Sequence, residues 1–323
     1  MTPPIIKAMS DIAVRLTVSP PPYWRNGRTI QKMMLAHLLA LAPASVMAVV
    51  MYGLQAASVI ALAGATAALA DAVFLRLQHR DVDIDNFTAF YAGVLFAFLL
   101  PATAPWWLVV IGAIVTIGLG RTVFGGFGCN PVCAPLVGWA VCRLSWPAEM
   151  DIDLNLIHFA INSPVDQLMY FGVERLGQFD TLDLLLGRQL GGLGSSQVLA
   201  LIAGGVFLLA TRWIRVFIPA AFLIGVAGTA AIFWYIDPTV YASPVFHLVT
   251  GSTVFGAFFL ATDTASSPVG KLPQIVFGLI AGAMVILIRT YGVYPDGVPF
   301  AVMTASLLSP LLERLRPKFF GVK

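Results

Sequence analysis

The stretches GVLFAFLLPATAP (residues 93–105) and GAFFLATDTASSP (residues 256–268) decide the fold. Each is a short apolar run that ends in a polar break closed by proline. Breaks of this kind, repeated in corresponding positions of two halves, are typical of membrane proteins built from internal repeats. The pairs that match at an offset of 163 residues are Gly93 and Gly256, Phe96 and Phe259, Ala102 and Ala265, Thr103 and Ser266, and Pro105 and Pro268.

The composition of the 323-residue chain suits a lipid surrounding. Hydrophobic residues make up 59% of it and charged residues 11%, whereas a soluble domain carries about 25% charged residues. In a bilayer each spanning segment must satisfy its own backbone, which leaves helices or closed barrels. The apolar runs are continuous and not alternating, so we expect an all-α integral membrane protein. The net charge of +3 gives no indication of a nucleic-acid partner.

Ten apolar segments are candidates for membrane spans, and the third, sixth, eighth and tenth are short. They lie near residues 33–53, 56–75, 87–101, 105–120, 132–147, 198–211, 216–236, 246–261, 273–289 and 298–312. A long polar stretch divides them into two groups of five. Because five is odd, the second group enters the membrane with opposite polarity, as in an inverted repeat. We therefore predict an N-terminal tail with a first five-helix repeat (1–148), a periplasmic loop (149–197) and a second five-helix repeat (198–323).

The basic residues orient these spans. If the N-terminal tail is cytoplasmic, 15 of the 19 lysines and arginines fall inside, and only Arg143, Arg175, Arg188 and Arg289 fall outside. An excess of basic residues in cytoplasmic segments is the usual pattern. The chain is thus expected to cross a bacterial inner membrane many times, with both termini in the cytoplasm and lipid around it.

Two polar segments are candidates for binding sites, because irregular backbone at membrane depth is tolerated only against protein or a cavity. The first, GRTVFGGFGCNPVCAP (120–135), could also be an ordinary turn, and the second is HLVTGSTVFGAFFLATDTASSP (247–268). A carboxylate at the membrane edge is costly and often functional, although Asp263 could equally be an exposed helix cap. The candidate residues are Gly125, Gly126, Asn130, Gly251, Ser252, Thr253, Thr262 and Asp263.

The remaining segments carry less chemistry. The stretch YGVYPDGVPF (291–300), on the outer side, is a third place where chemistry could occur, although a Pro-Asp-Gly turn explains it by itself. Asp71 lies inside the second span, where a partner is expected, and helix packing and a role in an ion path are both open. Cys129 and Cys133 are too few for a zinc site, and the chain has no phosphate loop, nucleophile elbow or dinucleotide fingerprint. We therefore name no catalytic residue and no metal ligand.

Five motifs then point to a known family. They are SPPPYWRNGRTIQKMMLAHLLALAPA (19–44), LLPATAPWW (99–107), GGFGCNPVCAP (125–135), FHLVTGSTVFGAFFLATDTASSPVGK (246–271) and RTYGVYPDGVPFAV (289–302). In this order and spacing the chain resembles the family formed by the D subunits of Rnf electron-transport complexes and the B subunits of sodium-pumping NADH:quinone oxidoreductases. The resemblance covers nearly the whole chain.

The resemblance implies a membrane flavoprotein subunit that is not catalytic alone. It would pass electrons between ferredoxin and NAD through flavin mononucleotide (FMN) and riboflavin, and couple them to movement of Na⁺ or H⁺. Its partners would be the A, B, C, E and G types of Rnf subunit. The alternative is a channel or small-solute transporter, since the five-span inverted repeat also resembles the urea-transporter architecture.

The chain departs from the family at the flavin attachment motif. Family members carry FMN on the threonine of an S-G-A-T motif in the outer loop, and no such motif occurs in residues 149–197. The best alignment sets AINSP (160–164) there and puts Ser163 in place of the threonine. Ser163 precedes a proline in a polar loop, so we expect it to be accessible and outside a helix. Covalent flavin at Ser163, noncovalent flavin and no flavin in this loop all remain alternatives.

The orientation can be tested with fusions near Gln178. We expect a reporter that works only in the periplasm to be active there, because the basic residues place residues 149–197 outside. A reporter that works only in the cytoplasm should be inactive at the same position. Activity of the cytoplasmic reporter alone would overturn the predicted topology.

Overall fold

The computed structural model describes residues 27–315 apart from 83–84, 152–162, 174–175 and 177–178. Most of the N-terminal tail and part of the predicted periplasmic loop, including Gln178, thus lie outside the described residues. All regular elements in the described part are helical. They are α1 (Ile30–Tyr52), α2 (Leu54–Leu77), α3 (Thr88–Leu99), α4 (Trp106–Ile117), α5 (Ala134–Ser145), α6 (Pro164–Phe171), α7 (Thr181–Leu185), α8 (Val198–Ala210), α9 (Phe217–Ile236), α10 (Pro244–Val249), α11 (Thr253–Phe255), α12 (Lys271–Tyr291) and α13 (Val298–Leu312).

The expectation of an all-helical membrane protein is confirmed. The helices α1, α2, α9 and α12 are long and apolar enough to cross a bilayer, and α3, α4, α8 and α13 are shorter apolar helices. Two π-helical turns, Gly118–Thr122 and Gly256–Leu260, continue α4 and α11. Each of the ten predicted apolar segments is helical over at least part of its length.

Local sequence explains where several helices begin and end. Gly53, at φ +72, separates α1 from α2. Proline lies in the first turn of α5, α6, α10 and α13, where its missing N–H is not needed. The eighth segment, expected as one run over 246–261, is instead broken between α10 and α11. The reason is Gly251, whose backbone adopts φ +65, a conformation that does not continue a helix.

The two groups of five segments share a packing pattern. In the first group α2 packs on α3 and α4, and α5 packs on α3 and α4. In the second, α9 packs on α10, α12 and the π turn that follows α11, and α13 packs on α12 and that turn. The groups meet where α1 crosses α8 and where α5 contacts α13.

Small residues allow the closest of these crossings, as is usual between membrane helices. Along α12, Gly278 and Gly282 face α9. A Cβ added to Gly278 would lie 2.7 Å from the Ala221 Cβ, and one added to Gly282 would overlap the Phe222 carbonyl oxygen. The backbones of α9 and α12 therefore meet without side chains between them.

Replacing Gly282 by valine should separate these helices. Overpacking of this kind costs about 1–3 kcal/mol, so the purified full-length Gly282→Val variant should unfold at a lower temperature than the parent. Gly228→Val is the matched control, because a Cβ added to Gly228 on α9 would meet no heavy atom within 4 Å. Equal losses in the two variants would contradict the packing argument.

Candidate functional site

Two cavities collect most of the residues predicted from the sequence. The first, which we call the Ser163 cavity, has a volume of about 720 Å³ and is lined by Ser163, Gly251 and Ser252. These residues come from the polar loop and from the break between α10 and α11. The structure therefore brings together two segments that lie far apart in the sequence.

Ser163 differs from its expected state. Its backbone is extended, at φ −74 and ψ 114, as expected before a proline. The residue is nevertheless buried, with 5% of its surface exposed, so the prediction of an accessible serine was wrong. The cause is the packing of distant segments around it, among them the Gly251–Ser252 break. Ser163 is also the N-cap of α6, where its Oγ accepts a hydrogen bond from the Asp166 N–H at 3.4 Å. The hydroxyl still lines the cavity.

Asp296 lines the Ser163 cavity as well. It belongs to the Pro-Asp-Gly turn in residues 291–300. Its carboxylate accepts hydrogen bonds from the Ser252 backbone N–H at 3.0 Å and from the Ser252 hydroxyl. The same carboxylate forms an ion pair with Arg289 at 3.2 Å. Asp296 thus fixes the position of the Gly251–Ser252 break.

Arg289 is the buried cation of this region, with 1% of its side chain exposed. Its guanidinium donates to the carbonyl oxygens of His247 and Thr250, both at 3.1 Å, and to the Thr253 hydroxyl at 3.0 Å. Thr253 is fully buried and its hydroxyl is engaged in this network, so it holds the break and does not line the cavity. The sequence signal for Arg289 was a lone basic residue at the end of an apolar helix.

The second cavity, which we call the Asp263 cavity, has a volume of about 540 Å³ and is lined by Asn130, Thr262 and Asp263. The Asn130 amide donates to the Asp263 carboxylate at 3.2 Å and to the Val132 carbonyl at 2.9 Å. The Ser266 hydroxyl donates to the same carboxylate at 2.9 Å. Residues from the two candidate segments therefore meet, 133 positions apart in the sequence.

Asp263 is half-buried at a cavity and is not the exposed helix cap that its sequence context also allowed. It lies three residues after Leu260, the last residue of the π turn, and desolvation raises the pKa of its carboxyl group more than the hydrogen bonds from Ser266 and Asn130 lower it. Arg121 supplies a positive charge to the same cavity. Its guanidinium lies 3.8 Å from the Asp71 carboxylate, so Arg121 is the partner expected for Asp71, and 5.1 Å from the ring of Phe127.

Gly125 and Gly126 lie outside both cavities. Their φ angles are +112 and +107, and the Gly125 carbonyl accepts a hydrogen bond from Arg80 at 3.0 Å. These glycines form a turn that other residues would strain. The structure therefore gives them a conformational role and no contact with a ligand site, in contrast to their neighbour Asn130.

The two cavities lie at opposite ends of the same short helices. The first residue of α3, Thr88, lines the Asp263 cavity, and its last residue, Leu99, lines the Ser163 cavity. Between them Phe98 stacks on Phe255 with ring centres 5.7 Å apart, and Phe255 stacks on Phe259 at 5.9 Å. All three rings are almost fully buried, so packed aromatic side chains separate the two polar spaces.

Comparison with known proteins agrees with the motifs. Residues 17–321 match the sequence profile described as the NQR2, RnfD, RnfE family. Proteins of Salmonella typhi and Salmonella typhimurium, each named as the D subunit of an ion-translocating oxidoreductase complex, are 33% identical over 93% of this chain and 97% of their own length. A protein of the same name from Salmonella paratyphi A is 34% identical over the same shares. The resemblance is thereby confirmed: the chain belongs to the NQR2, RnfD, RnfE family.

Proposed function

We propose that this chain is a flavin-carrying subunit of an ion-translocating oxidoreductase complex and that the Ser163 cavity holds FMN. The observation that carries the proposal is the convergence of Ser163 with Gly251 and Ser252 on one space of about 720 Å³. A concave space in which a few polar groups converge is typical of a small-molecule site. The complex would take electrons from ferredoxin to NAD and move Na⁺ or H⁺, together with subunits of the A, B, C, E and G types.

The residues around the Ser163 cavity suit FMN. Trp139 and Tyr294 line it and supply aromatic surface, and both of their rings pack against Phe300. Arg143 lines it as well, with its guanidinium 5.7 Å from the centre of the Tyr294 ring, and can pair with a phosphate. Arg143 also donates to the Met150 carbonyl at 2.7 Å, and the carboxylates of Asp151, Asp166 and Asp296 line the same cavity. When bound, FMN would supply the electron-carrying chemistry that no side chain here provides.

The burial of Ser163 favours a noncovalent complex over a phosphoester bond. An enzyme that attached flavin to this serine would need access to its hydroxyl, and the N-cap position restricts that access. The hydroxyl oxygen accepts from the Asp166 N–H, while its own hydrogen remains able to donate to a phosphate oxygen. In this arrangement Ser163 orients the phosphate without bonding to it.

Fluorescence of the chain before and after denaturation tests the proposal. We expect the native purified protein to show flavin absorption and the denatured polypeptide to show no flavin fluorescence. Ser163→Ala should keep the flavin but bind it about tenfold or more weakly, because one hydrogen bond to a charged group is lost. Thr181→Ala, which removes an exposed hydroxyl of α7 outside the cavity, is the control.

Two outcomes would contradict this. Fluorescence that survives denaturation in the parent and disappears in Ser163→Ala would show a covalent bond at Ser163. A native protein that has no flavin at all would remove the flavoprotein proposal and favour the channel or transporter alternative.

We infer that the Asp263 cavity is a second site, for riboflavin or for the translocated ion. Its donors and acceptors suit a polyhydroxylated chain or a cation: Asp263 accepts, Asn130 donates, and Arg121 balances the charge. Riboflavin has no phosphate and so needs no cation of its own. This agrees with a cavity whose cation, Arg121, is already paired with Asp71. Both functions would depend on the Asn130–Asp263 contact.

Breaking this contact should slow electron transfer in an assembled complex. Asp263→Ala and Asn130→Ala should each lower the rate about tenfold or more, since a buried hydrogen bond to a charged group contributes about 1.5–3 kcal/mol. Asp237→Asn is the matched control, because that carboxylate is exposed and bonds locally to Thr239. Parental rates in both assembled variants would leave the contact with a structural role only.

We also propose the membrane arrangement in which this function operates. Ten spans in two inverted five-helix repeats would place both termini in the cytoplasm and the Ser163 cavity on the periplasmic side of a bacterial inner membrane. The shared packing pattern of the two helix groups supports this proposal. So does the position of the two cavities at opposite ends of α3.

A further inference from the structure

A third cavity lies beside the Asp263 cavity, between the turn that joins α8 to α9 and the segment that leads into α12. We call it the Arg215 cavity. It has a volume of about 570 Å³ and opens to the surface. Thr262 and Thr264 line both this cavity and the Asp263 cavity, so one short stretch of backbone separates the two.

Positive charge is concentrated around the Arg215 cavity. The Arg215 guanidinium donates to the Val269 carbonyl at 3.0 Å, which holds it against the rim. Lys271 follows the lining residue Val269 by two positions, and its ammonium lies 6.0 Å from the centre of the Phe217 ring, two positions after Arg215. Among the described residues, no carboxylate lies within 4.0 Å of the charged groups of Arg215 or Lys271. Glu313 accepts a hydrogen bond from the N–H of the lining residue Val269 at 3.3 Å.

A third cation strengthens this charge. The Arg28 guanidinium lies 5.0 Å from the ring centre of Trp213, which lines the cavity, and donates to the Arg212 carbonyl at 3.2 Å. Basic and aromatic side chains placed together in this way are typical of the level at which membrane proteins meet lipid headgroups.

The interior of the cavity offers polar partners. Gln274 is 6% exposed and donates to the Pro268 carbonyl at 3.0 Å, while its side-chain oxygen has no hydrogen-bond partner among the described residues. Both Gln274 and Ser267 line the cavity. A buried acceptor of this kind needs a donor, because leaving it unsatisfied costs about 1–3 kcal/mol.

The surroundings of the cavity are apolar and exposed. Val216 and Phe217 on one side, and Val269 and Leu272 on the other, present exposed side chains next to the basic rim. In a protein that crosses a membrane, such side chains contact acyl chains. The cavity therefore combines a cationic rim, a polar interior and an apolar border.

We propose that the Arg215 cavity binds the headgroup of an anionic phospholipid of the phosphatidylglycerol type. Arg215 and Lys271 would pair with the phosphate, and the Gln274 oxygen would accept from a headgroup hydroxyl. Basic pockets between membrane helices on the cytoplasmic side are suited to such headgroups. Because Thr262 and Thr264 also line the Asp263 cavity, the bound lipid would brace the segment that carries Asp263.

Native mass spectrometry of the full-length chain in detergent tests this proposal. The delipidated protein is titrated with phosphatidylglycerol, with phosphatidylcholine and with inorganic phosphate in separate series. We expect one phosphatidylglycerol to bind in preference to phosphatidylcholine, and phosphate alone not to compete. Arg215→Gln and Lys271→Gln should each weaken binding about fivefold, and the double variant about 25-fold, since each basic residue near a membrane surface contributes a factor of that size.

Arg76→Gln is the matched control, because Arg76 is an exposed basic residue in the last turn of α2, outside this cavity. Gln274→Leu should also weaken phosphatidylglycerol binding while leaving the charges intact. Equal affinity for phosphatidylcholine would overturn the proposal, as would equal losses in Arg76→Gln. Full competition by inorganic phosphate would show a simple anion site, and exclusion of lipid by a neighbouring subunit in the intact complex would assign the surface to that subunit.

Discussion

Arg289 donates hydrogen bonds to carbonyl groups that have no partner within a helix, and the rest of this structure depends on these bonds. A membrane helix cannot end inside the apolar layer unless protein groups satisfy its last carbonyl oxygens. Between α10 and α11, Arg289 binds the carbonyls of His247 and Thr250, and the Gln189 amide binds that of Val249 at 3.0 Å. The cation is in turn neutralised by Asp296. Without these groups the break would leave several unsatisfied acceptors, each costing about 1–3 kcal/mol, and the Ser163 cavity would lose its wall.

The matching break after α3 is satisfied in a different way. The backbone N–H of Leu193 donates to the Leu100 carbonyl at 2.7 Å, and that of Gly194 donates to Phe98 at 3.3 Å. Gly194 is required here, since a Cβ would overlap the ring of Phe98. The polar loop therefore inserts its glycine-rich end against the first half and is part of the core. This explains why one loop can both close a broken helix and contribute residues to a cavity.

Much of the fold could be predicted from the sequence, because composition and apolar runs depend only on the lipid solvent. The meeting of Asn130 with Asp263 was also foreseeable, since both residues lie at breaks in corresponding halves. Arg289 and Asp296 were missed for a physical reason: a Pro-Asp-Gly turn accounts for the aspartate locally, and only tertiary packing shows that it neutralises a buried cation. The burial of Ser163 depends likewise on contacts between distant segments, which no local pattern records.

The two polar cavities are connected by helices that border both of them. Because α3 has 12 residues, it spans about 18 Å, and its two ends border the two cavities. Electrons can cross a distance filled by packed phenylalanine rings, whereas a hydrated ion cannot pass Phe98, Phe255 and Phe259 while they remain stacked. Under the proposed function, ion movement along this route would therefore require α3 and α11 to shift relative to each other. The breaks that border both helices are held by hydrogen bonds and ion pairs rather than by continuous helix. Under the proposed function, these breaks would be the place for a shift that couples electron transfer to ion movement, since their backbone groups already bond to side chains and to other segments.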